Sequence, residues 1–355
     1  MKILFAGFRA EHQTTQHRII PVAQELRERG HECDVTFGTR RDMFGHTQQN
    51  VSLSSVSKLL VTRDYDSVVI SRDAGPIART LLALARALDV SVIYDIDDPV
   101  FQNTTIGDSG VPNPVYYFVD PMISESDAVV TSNEYIHDYV IERNERATML
   151  PTPVDTGVFK ASRDPPRAYD ETVIGWMGTG PAHEDNLPLL VDPLSEIGRS
   201  FAVRLRIVSA LDSASIRQAF SPLHAVMPVD YGFDEWVPIE RIADEMATFD
   251  LAVLPLDAED EFMKGKSVMK VAEHQAMEIP VVASNFGAFG RAIRDGETGL
   301  LCDDVDEWTT AIRYLLEHPD ERAEMAVRGR ERVEAQYSVD TFVDGFEDVV
   351  RTLTD

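Results

Sequence analysis

The chain has 355 residues, 44% of them hydrophobic and 8% aromatic, so it is globular and comfortable as two domains rather than one. Sixty acidic residues oppose 33 basic ones, and the formal charge of -27 argues against nucleic acid as a partner, because phosphate backbones need basic patches. With only six lysines, so acidic a surface reads as adaptation to high salt, where it stays hydrated.

Cys33 and Cys302 lie far apart without metal-like spacing, and no apolar run approaches the ~18 residues of a spanning helix. The N-terminal MKILFAGF is too short for a signal peptide, and a soluble, cytoplasmic protein is expected.

Residues 2–7 predict a buried strand. Ile19, Ile20, Val22, Ala23 and Leu26 predict a helix that Gly30 stops. Strands follow over 31–37, 66–71, 90–94 and 127–131, with helices over 77–88 and up to about Arg143. Residues 102–115 carry Gly, Asn, Thr and Pro without periodicity and predict a loop. Prolines at 151, 153, 165 and 166 mark an extended linker. A second series then begins, with strands over 173–176, 203–208, 251–255, 280–284 and 300–301. Its helices fall over 184–197, 239–248, 306–317, 319–336 and 339–353. Strands alternating with helices mean parallel sheets covered on both faces, which predicts two Rossmann-like α/β domains over 1–160 and 171–338, then a helix within 339–355.

Three of the six lysines, Lys264, Lys266 and Lys270, fall within seven residues. Ser267 is a natural N-cap for a helix from Val268 to Met277, whose Val268, Val271, Ala272, Gln275 and Ala276 stripe should face a core. Lys270 and Glu273 share another face one turn apart, with Lys266 just before the helix. Two cations, a carboxylate and free helix N–H groups together suit a phosphate.

Gly175-Trp-Met-Gly-Thr-Gly180 reads as a turn after a strand, where glycines let backbone N–H groups approach a diphosphate, and His183 just after it is placed to orient a phosphate. Asp95-Ile-Asp-Asp98 falls at a strand's carboxyl end, with carboxylates suited to a divalent ion, sugar hydroxyls or general-base work. Arg18 opens the first helix after a polar loop without a glycine-rich cradle. The missing GxGxxG argues against a dehydrogenase, and no GxSxG or GxxxxGK[ST] occurs.

Together these residues resemble the glycosyl transferases group 1, the retaining family four type with the GT-B fold. The most specific part runs from Lys266 through Ile279-Pro-Val-Val-Ala-Ser284 to Asp295-Gly-Glu-Thr-Gly-Leu-Leu301. The resemblance implies two domains facing a cleft, a nucleotide-sugar site in the C-terminal one, and a last helix crossing back to the N-terminal one. Glu273 would match the second glutamate of an E-x7-E motif and hydrogen-bond ribose. Lys266 and Lys270 would face the diphosphate, and Gly178, Thr179 and Gly180 would line it. Asp97 or Asp98 would sit beside the sugar, with Arg18 on the acceptor side. A nucleotide sugar and a glycan or lipid-linked acceptor are the implied partners, no cofactor or divalent metal is expected, and peripheral association with the inner face of a membrane stays open. Gly265 stands where the motif's first glutamate belongs. That departure keeps two alternatives in view: a nucleotide-sugar epimerase and a non-catalytic nucleotide-sugar-binding subunit.

Overall fold

A computed structural model describes residues 1–7, 12–37, 53–72, 75–102, 113, 116–161, 170–209, 213–232, 238–258 and 260–354. Two compact units emerge: Met1–Pro153 with Gly265–Ser267 and Val339–Asp355, and Val154–Lys264 with Val268–Ser338.

The first unit is built on β1 (Lys2–Gly7), β2 (Glu32–Phe37), β3 (Ser67–Ser71), β4 (Ser91–Ile96), β5 (Ala128–Thr131) and β6 (Ala147–Met149), in the order β2-β1-β3-β4-β5-β6. Every neighbouring pair described is parallel. The period of two along β1 assigns its side chains to opposite faces. Ile3 and Phe5 pack with Ile19 and Leu26, and Leu4 and Ala6 pack with Leu60, Leu81 and Val92. Both faces are covered, so the strand is apolar from Ile3 onward. The helix Val339–Thr354 completes the first of these faces with Phe342, Val343, Phe346 and Val350.

The second unit holds β7 (Thr172–Gly178), β8 (Val203–Ser209), β9 (Val229–Gly232), β10 (Leu251–Leu254), β11 (Val281–Ser284) and β12 (Leu300–Cys302), in the order β12-β11-β10-β7-β8-β9, also parallel. Residues 154–161 join this unit through Val154, whose N–H bonds Tyr337 O, and through Arg330, which donates to Thr156 O and Phe159 O.

Several elements differ from the sequence reading. Gly175 and Gly178 lie inside β7 rather than in a turn after it. A Cβ at Gly175 would meet the Phe249 ring at 2.1 Å, so this glycine serves packing. β4 continues to Ile96 and takes Asp95 into the strand. The helix after the lysines spans Met269–Ala276, with Val268 at its N-cap and no side-chain cap, so Ser267 does not serve there. A 3-10 turn at Leu187–Leu190, with Pro188 in its first turn, replaces the start of the expected 184–197 helix, another 3-10 turn at Gly180–His183 precedes it, and the helix itself is Val191–Ser200. The helix Tyr116–Glu125 escapes a propensity reading because it contains Pro121. Most of the 102–115 loop, and the prolines at 165 and 166, lie outside the described residues. Among the described residues no helix is long and apolar enough to cross a membrane.

Candidate active site

In open α/β sheets ligands bind beyond the carboxyl ends of the strands, where the strand order diverges. In the second unit that point lies between β7 and β10. β7 ends at Gly178, and the helix Met269–Ala276 lies in the crossover from β10 to β11. The Lys270 ammonium, in the first turn of that helix, donates to Met177 O at 2.8 Å and stands 5.3 Å from the Trp176 ring centroid. A Cβ on Gly178 would lie 2.3 Å from Lys270 Nζ. Only a glycine lets the ammonium in so close.

Glu273, one turn on, is 1% exposed. His274 is fully buried, and its Nδ1 lies 2.7 Å from Lys270 O, so that nitrogen carries the proton. Burial pushes the imidazole down to about 4, with Lys270 adding to the effect against the hydrogen bond and Glu273, and the ring stays neutral. It stacks on Phe249, the ring that fills the space above Gly175. A row of packed groups from β7 thus reaches the backbone of Lys270.

Thr179, in extended backbone, caps the 3-10 turn that starts at the buried Gly180. His183 is buried too, edge-on to Trp176 at 5.4 Å and paired with Asn186, which also accepts from Asp257 N. A separate cavity of about 470 Å³ opens against edge strand β12, floored by Leu300, Leu301 and Ala311, and no predicted site residue lines it.

The first unit gathers a second polar cluster at the carboxyl ends of its strands. Thr14 follows β1, Arg72 follows β3, Asp97 and Asp98 follow β4, and Ser132 and Asn133 follow β5. Arg18 lies in a π-helical turn, Thr15–Ile19, ahead of the helix Ile20–Glu28. Expected on the acceptor side, its guanidinium is instead enclosed. It pairs with Asp95 at 2.5 Å, donates to Leu150 O and Thr152 Oγ1, and lies 5.0 Å from the Phe342 ring centroid.

Asp97 and Asp98 have different surroundings. The Thr14 hydroxyl donates to Asp97 Oδ2 at 2.5 Å, and Ser132 Oγ donates to the Asp97 carbonyl. Asp98 pairs with Arg72 at 2.8 Å. Arg72 has φ +59°, in the left-handed region that a non-glycine residue enters at a cost of about 1 kcal/mol or more. Asn133 caps the helix Glu134–Ile141 through Oδ1 and donates from Nδ2 to Gly265 O at 2.9 Å. A Cβ at Gly265 would meet the Pro99 ring at 2.7 Å, so a glutamate has no room there. Lys266, expected beside Lys270, groups with the first unit, where its charge acts on Asp98.

Sequence reasoning did not single out Thr14, Arg72, Trp176 or Asn133. Each is an ordinary residue next to a strand end or inside a strand, and only the strand order brings it to its cluster. The one available signal was position: Arg72 and Asn133 each come just after an apolar run.

Residues 171–318 match the family model described as "Glycosyl transferases group 1". That stretch contains Gly178, Thr179, Gly180, Lys266, Lys270 and Glu273. The D-inositol 3-phosphate glycosyltransferase of Rhodococcus opacus (strain B4) is 32% identical over 117 residues, covering 32% of this chain and 25% of that protein. The match therefore spans about a quarter of that relative's length. Sucrose-phosphate synthase from Thermosynechococcus elongatus superposes with a TM-score of 0.73 at 14% identity, over 99% of both chains. Anabaena Alr3699/HepE, solved in complex with UDP and glucose, gives 0.73 at 15% identity, over 99% of this chain and 100% of its own. The fold is GT-B. Two six-stranded parallel sheets agree with the architecture read from the sequence.

Proposed function

We propose that the chain is a glycosyltransferase that moves a sugar from a nucleotide-diphosphate donor to a hydroxyl of a glycan or lipid-linked saccharide, with retained configuration. The observation that carries this reading is Lys270, its ammonium set against glycine at the carboxyl end of β7 within the stretch that matches the family model. Breaking the bond between the anomeric carbon and the diphosphate leaves negative charge on the departing oxygen. A cation already in place stabilises that charge without reorganising. In this reading Lys270 meets the diphosphate, Gly178, Thr179 and Gly180 line it, and Glu273 accepts from the ribose. Asp97 and Asp98 serve the acceptor hydroxyl. The UDP and glucose held by Alr3699/HepE make UDP-glucose the first donor to try.

A thermal-shift panel of UDP-, GDP- and ADP-sugars in high salt tests donor binding. A true donor at 100 times its dissociation constant stabilises the fold by about 2.7 kcal/mol, which raises the melting temperature. A panel in which nothing moves the melting point would count against the reading.

Gly178→Ala displaces the lysine together with the indole beside it. Its new methyl would meet Lys270 Nζ at 2.3 Å and the buried Trp176 ring at 2.8 Å, so both the lysine and the indole must shift. We expect a lowered melting temperature from the strained indole, with nucleotide release reduced about tenfold or more, since a misplaced charge loses its electrostatic advantage. Unchanged release kinetics would show that the lysine's present position is irrelevant.

A further inference from the structure

We infer that the cavity against edge strand β12 is a second ligand site, one that takes a small organic ammonium with an apolar body. It lies wholly in the second unit and does not rest on the glycosyltransfer reading. At about 470 Å³ it falls within the roughly 300–1,000 Å³ of ordinary small-molecule pockets.

The floor asks for an apolar group. Leu300, Leu301 and Ala311 pack against the core of the unit yet stay partly exposed where they line the cavity. Covering such surface with an apolar ligand body is favourable at about 25 cal/mol per Å². Tyr314 adds an aromatic wall. Its hydroxyl donates to Glu321 and its ring stacks on His318 at 4.5 Å, so the ring is held in place. An aromatic face attracts an ammonium group as well as an apolar one.

The rim asks for a cation. Asp295, Asp304, Asp306 and Glu307 line it, and among the described residues none that lines it is basic. Arg294, next to it in sequence, faces Glu297 at 3.8 Å instead. Exposed carboxylates are common in a chain of charge -27, but three of these are fixed. Asp295 Oδ1 accepts from Leu301 N at 2.9 Å, Asp304 Oδ1 from Glu307 N at 2.9 Å, and Glu307 Oε2 from Asp303 N at 2.7 Å. Each is anchored through one oxygen and has the other left for a ligand, so little side-chain freedom is lost on binding.

The start of the helix Val305–Glu317 opposes a cation with a partial charge of about +0.5, which four carboxylates outweigh. Their field reaches the sheet behind them. Burial raises the Cys302 thiol, and Glu307, Asp295, Asp303 and Asp304 raise it further. Among the described residues no cluster of His, Cys, Asp and Glu is arranged to hold a metal ion. An inorganic cation would also leave the leucines bare, a neutral molecule would leave the rim unused, and an anion would be repelled.

Saturation-transfer difference NMR on the full chain, with three probes of similar shape, tests the assignment: phenethylammonium, 2-phenylethanol and phenylacetate. High salt screens long-range attraction to the acidic chain, so that contact with the rim and floor is what remains. Phenethylammonium should bind saturably, the alcohol about tenfold more weakly, and phenylacetate not at all. Thr310 lines the cavity from an exposed position, so Thr310→Trp should fill it, abolish phenethylammonium binding and keep the parent's melting temperature. Asp304→Asn with Asp306→Asn and Glu307→Gln removes three charges, retains an N-cap residue, and should weaken binding about tenfold. The proposal is overturned by an alcohol that binds as well as the ammonium, by binding that survives Thr310→Trp, or by a parent chain that binds no phenethylammonium. Donor binding is read separately by the nucleotide-sugar panel, so each of these results leaves the glycosyltransfer reading where it stands.

Discussion

Replacing Lys270 with alanine is expected to lower turnover about 10²–10³-fold, the loss typical of removing one preorganised group from a developing negative charge. The side chain is half-buried and touches Met177 O and the Trp176 ring, and its removal opens space next to Gly178 without stranding a buried charge. The melting temperature should therefore change little. Steady-state nucleotide release with the donor found by thermal shift is the measurement. Lys270→Arg should not restore the rate, because a planar guanidinium does not fit a place shaped for a compact ammonium. Near-normal turnover by the alanine variant would remove Lys270 from the mechanism.

Arg18→Met is expected to destabilise the first unit by about 3–5 kcal/mol, the cost of leaving one partner of a buried ion pair uncompensated. The side chain of Arg18 is fully buried and that of Asp95 is 7% exposed, and no water replaces the guanidinium cheaply. Leu150 O and Thr152 Oγ1 lose their donor in the same substitution. Urea unfolding of the full chain reads the effect, and because two units unfold, the transition of the first unit should shift while that of the second stays. The double variant Arg18→Met with Asp95→Leu should recover much of the loss, since it leaves no lone charge. A single variant with the parent's midpoint would show that the pair contributes nothing.

Much of the fold was legible because its signals are local. Apolar runs such as Ile3–Ala6 and Val281–Ala283 are strands wherever both sheet faces are covered. The Val271, Ala272, Gln275 and Ala276 stripe is buried as its spacing requires. Segments shaped by other contacts were less readable. Gly175 and Gly178 look like turn glycines, but in β7 they make room for Phe249 and Lys270, which come from distant parts of the chain. Asp95, Asp97 and Asp98 are adjacent in sequence and alike in chemistry, yet three different partners, Arg18, Thr14 and Arg72, separate them in space.

By itself, the sequence determined two parallel α/β units, an acidic chain and a lysine-bearing helix before β11, because periodicity, composition and neighbouring side chains carry that information over a few residues. Tertiary structure alone decided that Arg18 is an internal cation, that Gly265 is a glycine because Pro99 leaves no room, and which of two aspartates Thr14 holds. Those outcomes depend on strand order and on side chains brought together across 77 to 132 residues of chain. Proton affinity and burial follow from such neighbours, which no short window of sequence contains.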